Sequence, residues 1–141
     1  METILFGEYA ISCEPARIDL DAVEELLCQT YWAKNRPREV IEKSLQNSIV
    51  FGAFLDGKQV ALARVVTDYA TFGWVCDVVV DPDHRGRGLS KALMDALLGH
   101  PELTAMRRLI LATKDATSLY SRYGFKELAG DLAWMELRQD L

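Results

Sequence analysis

Strand-type residues (Ile4, Leu5, Phe6, Tyr9 and Ile11) crowd the first segment and predict one strand over 3–12. The period then changes. Asp21-x-x-Glu24 has the form of a capping box, and Val23, Leu26, Leu27, Thr30 and Tyr31 follow at helical spacing. That pattern predicts a helix with Tyr31 on its apolar face. Pro37 suits the first turn of a second helix, whose narrow inward face is Val40, Ile41, Ser44 and Leu45. Two apolar runs, 49–55 and 58–66, flank Asp56-Gly57, a strong hairpin signal. A further strand, 74–80, stops at Asp81-Pro82, because proline cannot donate to a ladder. Beyond a loop of Gly and Arg, Leu89, Ala92, Leu93, Ala96 and Leu97 mark a helix that ends near Gly99 and Pro101. Residues 109–113 read as a short buried strand, and Asp115 as the cap of a short helix through Tyr120. Segments 125–128 and 133–137 read as two final strands.

The order β-α-α-β-β-β-α-β-α-β-β predicts a mixed α/β layer architecture, with helices able to cover both faces of the sheet. With 141 residues, half of them hydrophobic, the chain suits a single domain over 1–141 with a sizeable core. A net charge of −5 argues against a nucleic-acid partner but leaves room for a local basic pocket. No apolar run approaches membrane-spanning length, and the start, with Glu2 and Glu8, lacks the form of a signal peptide. Cys13, Cys28 and Cys76 are isolated and odd in number, which reads as reduced thiols in the cytoplasm. Two histidines, His84 and His100, without a cysteine at metal spacing, predict no metal.

The chemistry concentrates in Val78-Val-Val-Asp-Pro-Asp-His-Arg-Gly-Arg-Gly-Leu-Ser-Lys-Ala-Leu-Met94, where a strand runs through a glycine-bearing loop into a helix. Gly86 and Gly88 permit positive φ and close approach of backbone to a ligand. The loop N–H groups and the helix N-terminus make an anion site, with Arg85, Arg87 and Lys91 adding positive charge. These features point to a pyrophosphate held mainly by backbone. A Walker loop is absent, and the glycine spacing is not that of a dinucleotide fingerprint.

Arg85-x-x-Gly88-x-Ser90 resembles the Arg/Gln-x-x-Gly-x-Gly/Ala signature of the GNAT N-acetyltransferases, with Ser90 where the family usually has Gly or Ala. Leu119-Tyr120-Ser121-Arg122-Tyr123-Gly124-Phe125 is similar to that family's late Leu-Tyr-x-x-x-Gly-Phe segment. The resemblance implies a central mixed sheet of about seven strands flanked by about four helices, with a splayed parallel pair. It implies acetyl-coenzyme A as acyl donor, bound by Val78, Val79, Val80, Arg85, Gly86, Arg87, Gly88, Leu89 and Ser90, with Asp115 and Tyr120. Asp115 stands where many members carry Asn, and a helix cap is the other reading of it. A backbone N–H around Val79 would polarise the thioester carbonyl, and Tyr120 would protonate the departing thiolate. Monomer and homodimer are both compatible.

Amine acetylation needs a neutral nucleophile, so a base or a water path must remove a proton. Asp77, inside the apolar run Trp74-Val-Cys-Asp-Val-Val-Val80, is the first candidate base, because burial among β-branched residues raises a carboxyl pKa. A structural carboxylate is the competing reading. Asp68 is a second acidic candidate, or a turn residue. Cys76 has no partner base nearby, which points to direct transfer. His84 reads as part of a solvated loop. By the resemblance, the acceptor site lies at the early helices and middle hairpin. There Trp32, Arg36, Arg64 and Asp68 are the candidates, with surface packing the alternative for Trp32 and Arg36. The activity expected is acetylation of a small molecule's primary amine. A peptide or protein acetylase, or a non-catalytic acyl-coenzyme A sensor, are the alternatives.

Overall fold

The computed structural model describes residues 2–139. By packing, the chain forms two compact units, Met1–Leu111 and Ala112–Leu141.

The first unit is built on a six-stranded sheet in the order β1-β2-β3-β4-β5-β6: Ile4–Phe6, Tyr9–Ser12, Ile49–Leu55, Lys58–Thr67, Gly73–Val80 and Leu109–Ile110. The predicted first strand is therefore a hairpin. Gly7 takes a left-handed φ of 59° and breaks the run between Phe6 and Tyr9. The Asp56-Gly57 turn forms as expected, with φ of 50° and 81°, the signs a tight two-residue hairpin needs. All strands through β5 pair antiparallel, and β5 pairs with β6 in parallel, Gly73 opposite Leu109 and Trp74 opposite Ile110. The six remaining residues of β5, Val75 to Val80, have no β6 partner.

Helix α1 (Leu20–Cys28) is capped two residues earlier than the Asp21-x-x-Glu24 capping box suggests. Asp19 is the cap, its carboxylate accepting from Asp21 N (3.0 Å) and Ala22 N (3.3 Å). The helix stops at Cys28, so Tyr31 falls beyond it and is exposed, not in the core as predicted. Pro37 caps α2 (Arg38–Gln46), which buries Ile41 and half-buries Ser44 and Leu45 but leaves Val40 exposed. Val23, Leu26, Leu27, Ala33 and Ile41 pack with Val50, Leu62 and Val79 on one face of the sheet. Each of these side chains other than Ala33 contributes roughly 1.5–3 kcal/mol. Helix α3 (Leu89–Leu98) lies against β2 to β5 and buries Leu89, Leu93, Met94 and Leu97. With both faces covered, β3 and β4 are apolar almost throughout, which is why their alternation is weak. Helix α4 (Pro101–Thr104) follows.

The second unit holds helix α5 (Thr117–Ser121). Its cap residue is Ala116, whose N–H donates to Thr113 Oγ1 at 3.0 Å, so Asp115 is not the cap. Segments 125–128 and 133–137 form no strand, leaving six strands among the described residues. Met135 and Leu137 are exposed there, with no strand beside them to pair with.

Candidate active site

Strand β5 carries the centre of the site. Its register with β4 slips between Leu62 and Arg64, so that Asp77 and Val78 together oppose Ala63. Asp77 takes a φ of 51° at this bulge. A non-glycine residue there is strained, and Asp is among the side chains that tolerate it best. The register past the bulge determines where the backbone points. Val79 pairs with Leu62, and Asp81 N–H donates to Val60 O at 2.8 Å. Antiparallel alternation then turns the Val79 N–H toward β4 and the Val80 peptide groups toward the open side. Arg85 Nε accordingly donates to Val80 O at 3.2 Å. The Val79 N–H is therefore committed to the β4 ladder.

The loop after β5 passes through a short 3-10 turn, Pro82–His84, and then Gly86 (φ 77°) and Gly88 (φ 82°). Gly88 is the N-cap of α3 and offers no side chain, so the first N–H groups of the helix stay uncapped. A Cβ at Gly86 would meet nothing, which leaves its face open to a ligand. Arg85, Gly86 and Arg87 are exposed and Ser90 is half-buried, whereas the Leu89 side chain is in the core and only its backbone can serve a ligand. Uncapped N–H groups, an open glycine and exposed guanidiniums fit a pyrophosphate. His84 is not simply solvated: it is half-buried, with Nδ1 2.9 Å from the Tyr9 hydroxyl.

Four of the predicted side chains, Trp32, Arg36, Arg64 and Asp77, meet at the β5 bulge. Asp77 is 5% exposed. It accepts from Trp32 Nε1 (3.0 Å), from Arg36 through both terminal nitrogens (2.8 and 3.4 Å), and from Arg64 Nε (2.9 Å). Arg64 Nη1 donates in turn to Ser48 Oγ at 2.9 Å. Burial works to raise the Asp77 pKa, but the hydrogen bonds and charges of the two guanidiniums outweigh it, and the carboxyl lies below its ordinary range. The raised pKa expected of a base is overturned: the apolar run hid two cations that arrive from other elements. Asp68 stands apart from this group. Its carboxylate accepts from Thr71 Oγ1 and from the N–H groups of Ala70, Thr71 and Phe72, which lowers its pKa and commits it to its own turn. Burial pushes the Cys76 thiol up to about 11, so it is neutral and unreactive at pH 7.

In the second unit Tyr120 is buried, its ring edge-on to Phe125 at 6.0 Å. Burial raises its pKa and keeps the phenol protonated, as a hydrogen-bond donor must be. Asp115 is exposed. Among the described residues no group of His, Cys, Asp and Glu could hold a metal ion, and no helix is long and apolar enough to cross a membrane.

Known proteins agree with this geometry. A family model described as an acetyltransferase (GNAT) domain matches residues 46–127. A crystal structure from Xanthomonas campestris pv. campestris, described as belonging to the GNAT family, superposes with a TM-score of 0.81. It is 45% identical, covering 89% of this chain and 93% of its own. A Gibberella zeae relative whose name proposes acetyltransferase activity is 32% identical over 140 residues, 82% of this chain and 77% of its own length. A Mycobacterium tuberculosis structure solved with coenzyme A shares the fold, with a TM-score of 0.68 at 21% identity over 88% of this chain and 75% of its own. Sequence, fold and loop converge: this chain belongs to the GNAT family of acetyltransferases, enzymes that take acetyl-coenzyme A as acyl donor.

Proposed function

We propose that the chain transfers the acetyl group of acetyl-coenzyme A directly to the primary amine of a small molecule that also bears an acidic group. The observation that carries this reading is the convergence of Arg36, Arg64 and Trp32 on one buried carboxylate at the β5 bulge. Two guanidiniums face a single carboxylate, which leaves one positive charge in excess on the acceptor side. Trp32, half exposed, supplies an apolar wall beside it. The segment between α1 and α2 is tied down on β5 by these bonds, which favours a compact acceptor over an extended peptide.

The thioester of acetyl-coenzyme A supplies the activated acyl group, and the residues of this chain do the rest. The helix α3 N-terminus and the 85–90 loop take the phosphates. Backbone N–H groups of β5 beyond Trp74, free of a β6 partner, polarise the acyl carbonyl. The neutral Tyr120 hydroxyl donates a proton or hydrogen bond to the departing sulfur. Asp77 is ill suited to take the proton of the amine, since its lone pairs are occupied and its basicity is lowered. Water is assigned that task. A neutral Cys76 thiol favours direct transfer over an acetyl-enzyme.

An acetyl-coenzyme A turnover screen tests this reading. The panel holds amines with and without a carboxylate or phosphate, together with lysine and N-terminal peptides. Amines carrying an anionic group should turn over fastest. Faster turnover of a peptide than of every small amine would overturn the reading.

A further inference from the structure

The N-terminal hairpin reaches the pyrophosphate loop across the whole length of the sequence. Tyr9, on β2, is 5% exposed, yet its hydroxyl is engaged on two sides. Arg87 Nη1 donates to it at 2.8 Å, and it lies 2.9 Å from His84 Nδ1. An oxygen that accepts from Arg87 has its own hydrogen left to give, and an unprotonated Nδ1 can take it. Guanidinium, phenol and imidazole thus form a directed chain. The Tyr9 and His84 rings also meet edge to face at 5.8 Å. On β1, the Phe6 ring lies against the other end of the loop, since a Cβ built on Gly88 would be 3.2 Å from Phe6 Cζ. None of these contacts belongs to a ladder or a helix. They tie the hairpin to a loop whose two glycines at positive φ would otherwise be free to leave that conformation.

We propose that Tyr9, acting with His84 and braced by Phe6, is a positioning residue for coenzyme A: it holds Arg87 and the 84–88 loop in the conformation that receives the phosphates. The physical basis is preorganisation. A long, exposed arginine side chain and a glycine loop both lose conformational freedom when a ligand binds, and a contact that fixes them beforehand removes that cost from binding. The proposal rests on the coenzyme A reading of the loop, and not on the identity of the acceptor.

The test is calorimetry with free coenzyme A, which needs no acceptor, and binding by the parent protein is its control. Tyr9→Phe keeps the buried ring and removes only the hydroxyl. Loss of one hydrogen bond to a charged donor should weaken coenzyme A about tenfold. Melting temperature should stay near that of the parent, and amide exchange over 84–88 should quicken. In an Arg87→Gln background the further effect of Tyr9→Phe should shrink to a few-fold, because the part that runs through Arg87 is gone and only the hold on the loop through His84 is left. Parent affinity in Tyr9→Phe, or an undiminished tenfold loss in the Arg87→Gln background, overturns the proposal. Should Tyr9→Phe melt well below the parent, His84→Ala replaces it, changing only the half-buried end of the chain. Weaker coenzyme A binding then supports the proposal, and unchanged binding overturns it.

Discussion

The pyrophosphate loop and the Asp77 cluster lie at the two ends of the same stretch of chain, and they are built in opposite ways. The loop works through backbone: two glycines at positive φ and an uncapped helix end, all contributed by residues 85–90. The cluster works through side chains from distant elements: Trp32 and Arg36 reach Asp77 from 45 and 41 positions away, and Arg64 from 13. A site made of local backbone geometry tolerates little change in φ but is indifferent to most side chains. A site made of converging charges depends on each side chain that reaches it, here around a bulge that holds Asp77 at φ 51°.

The sharpest way to break the comparison is at Gly86. Gly86→Val meets no neighbour but must hold a β-branched residue at φ 77°, with its side chain in the face open to the ligand. Losing two charge-assisted N–H contacts should weaken coenzyme A by about a hundredfold, read by calorimetry on a variant with a native circular dichroism spectrum. Gly88→Val is the poorer choice, because its Cβ would also press on Phe6.

Tyr120→Phe probes chemistry instead of binding. Turnover should fall by on the order of a hundredfold, with acetyl-coenzyme A affinity unchanged. Turnover at the parent rate, with chemistry rate-limiting, would make Tyr120 a packing residue. The raised phenol pKa has a consequence of its own. The unfolded chain ionises first as pH rises, so the contribution of Tyr120 to stability is complete below about pH 10 and is lost above it. Tyr120→Phe should remove that part of the alkaline destabilisation seen by thermal melting.

At the other end, Asp77→Asn removes the one anion that two guanidiniums share. The partly exposed Arg36 softens the loss, and a cost of about 2–3 kcal/mol is expected, or roughly 5–10 °C in melting temperature. The folded pKa of Asp77 lies below its unfolded value. Its stabilisation is therefore present above the ordinary carboxylate range, about pH 4, and lost as pH falls through the folded value. Between those limits the parent should lose stability on acidification faster than Asp77→Asn. Equal slopes would mean that the ion pairs contribute nothing.

Cys76→Ser carries the smallest effect. A thiol with a pKa of about 11 takes no part at pH 7, so turnover should stay within about twofold of the parent. Iodoacetamide should modify the exposed Cys28 well before Cys76.

The sequence alone determined whatever depends on neighbours along the chain. The Asp56-Gly57 hairpin, the stop at Asp81-Pro82, helix α3 and the glycine loop at its start were legible because their signals are local φ preferences and short-range periodicity. The same locality misread Gly7, which cut one predicted strand into a hairpin, and the end of α1, which put Tyr31 outside the core. It also read 125–128 and 133–137 as strands, although a strand exists only where a second strand pairs with it. The parallel β5–β6 pair came from family resemblance, and the structure bears it out over two residues. Only the tertiary structure decided the surroundings of Asp77. Its sequence neighbours are apolar and predict a raised pKa, whereas its spatial neighbours are Arg36, Arg64 and Trp32. Tyr9 was likewise read as a strand residue, and its bond to Arg87 spans 78 positions. A pKa and a hydrogen bond depend on distances in space, and those distances exist only once the chain has folded.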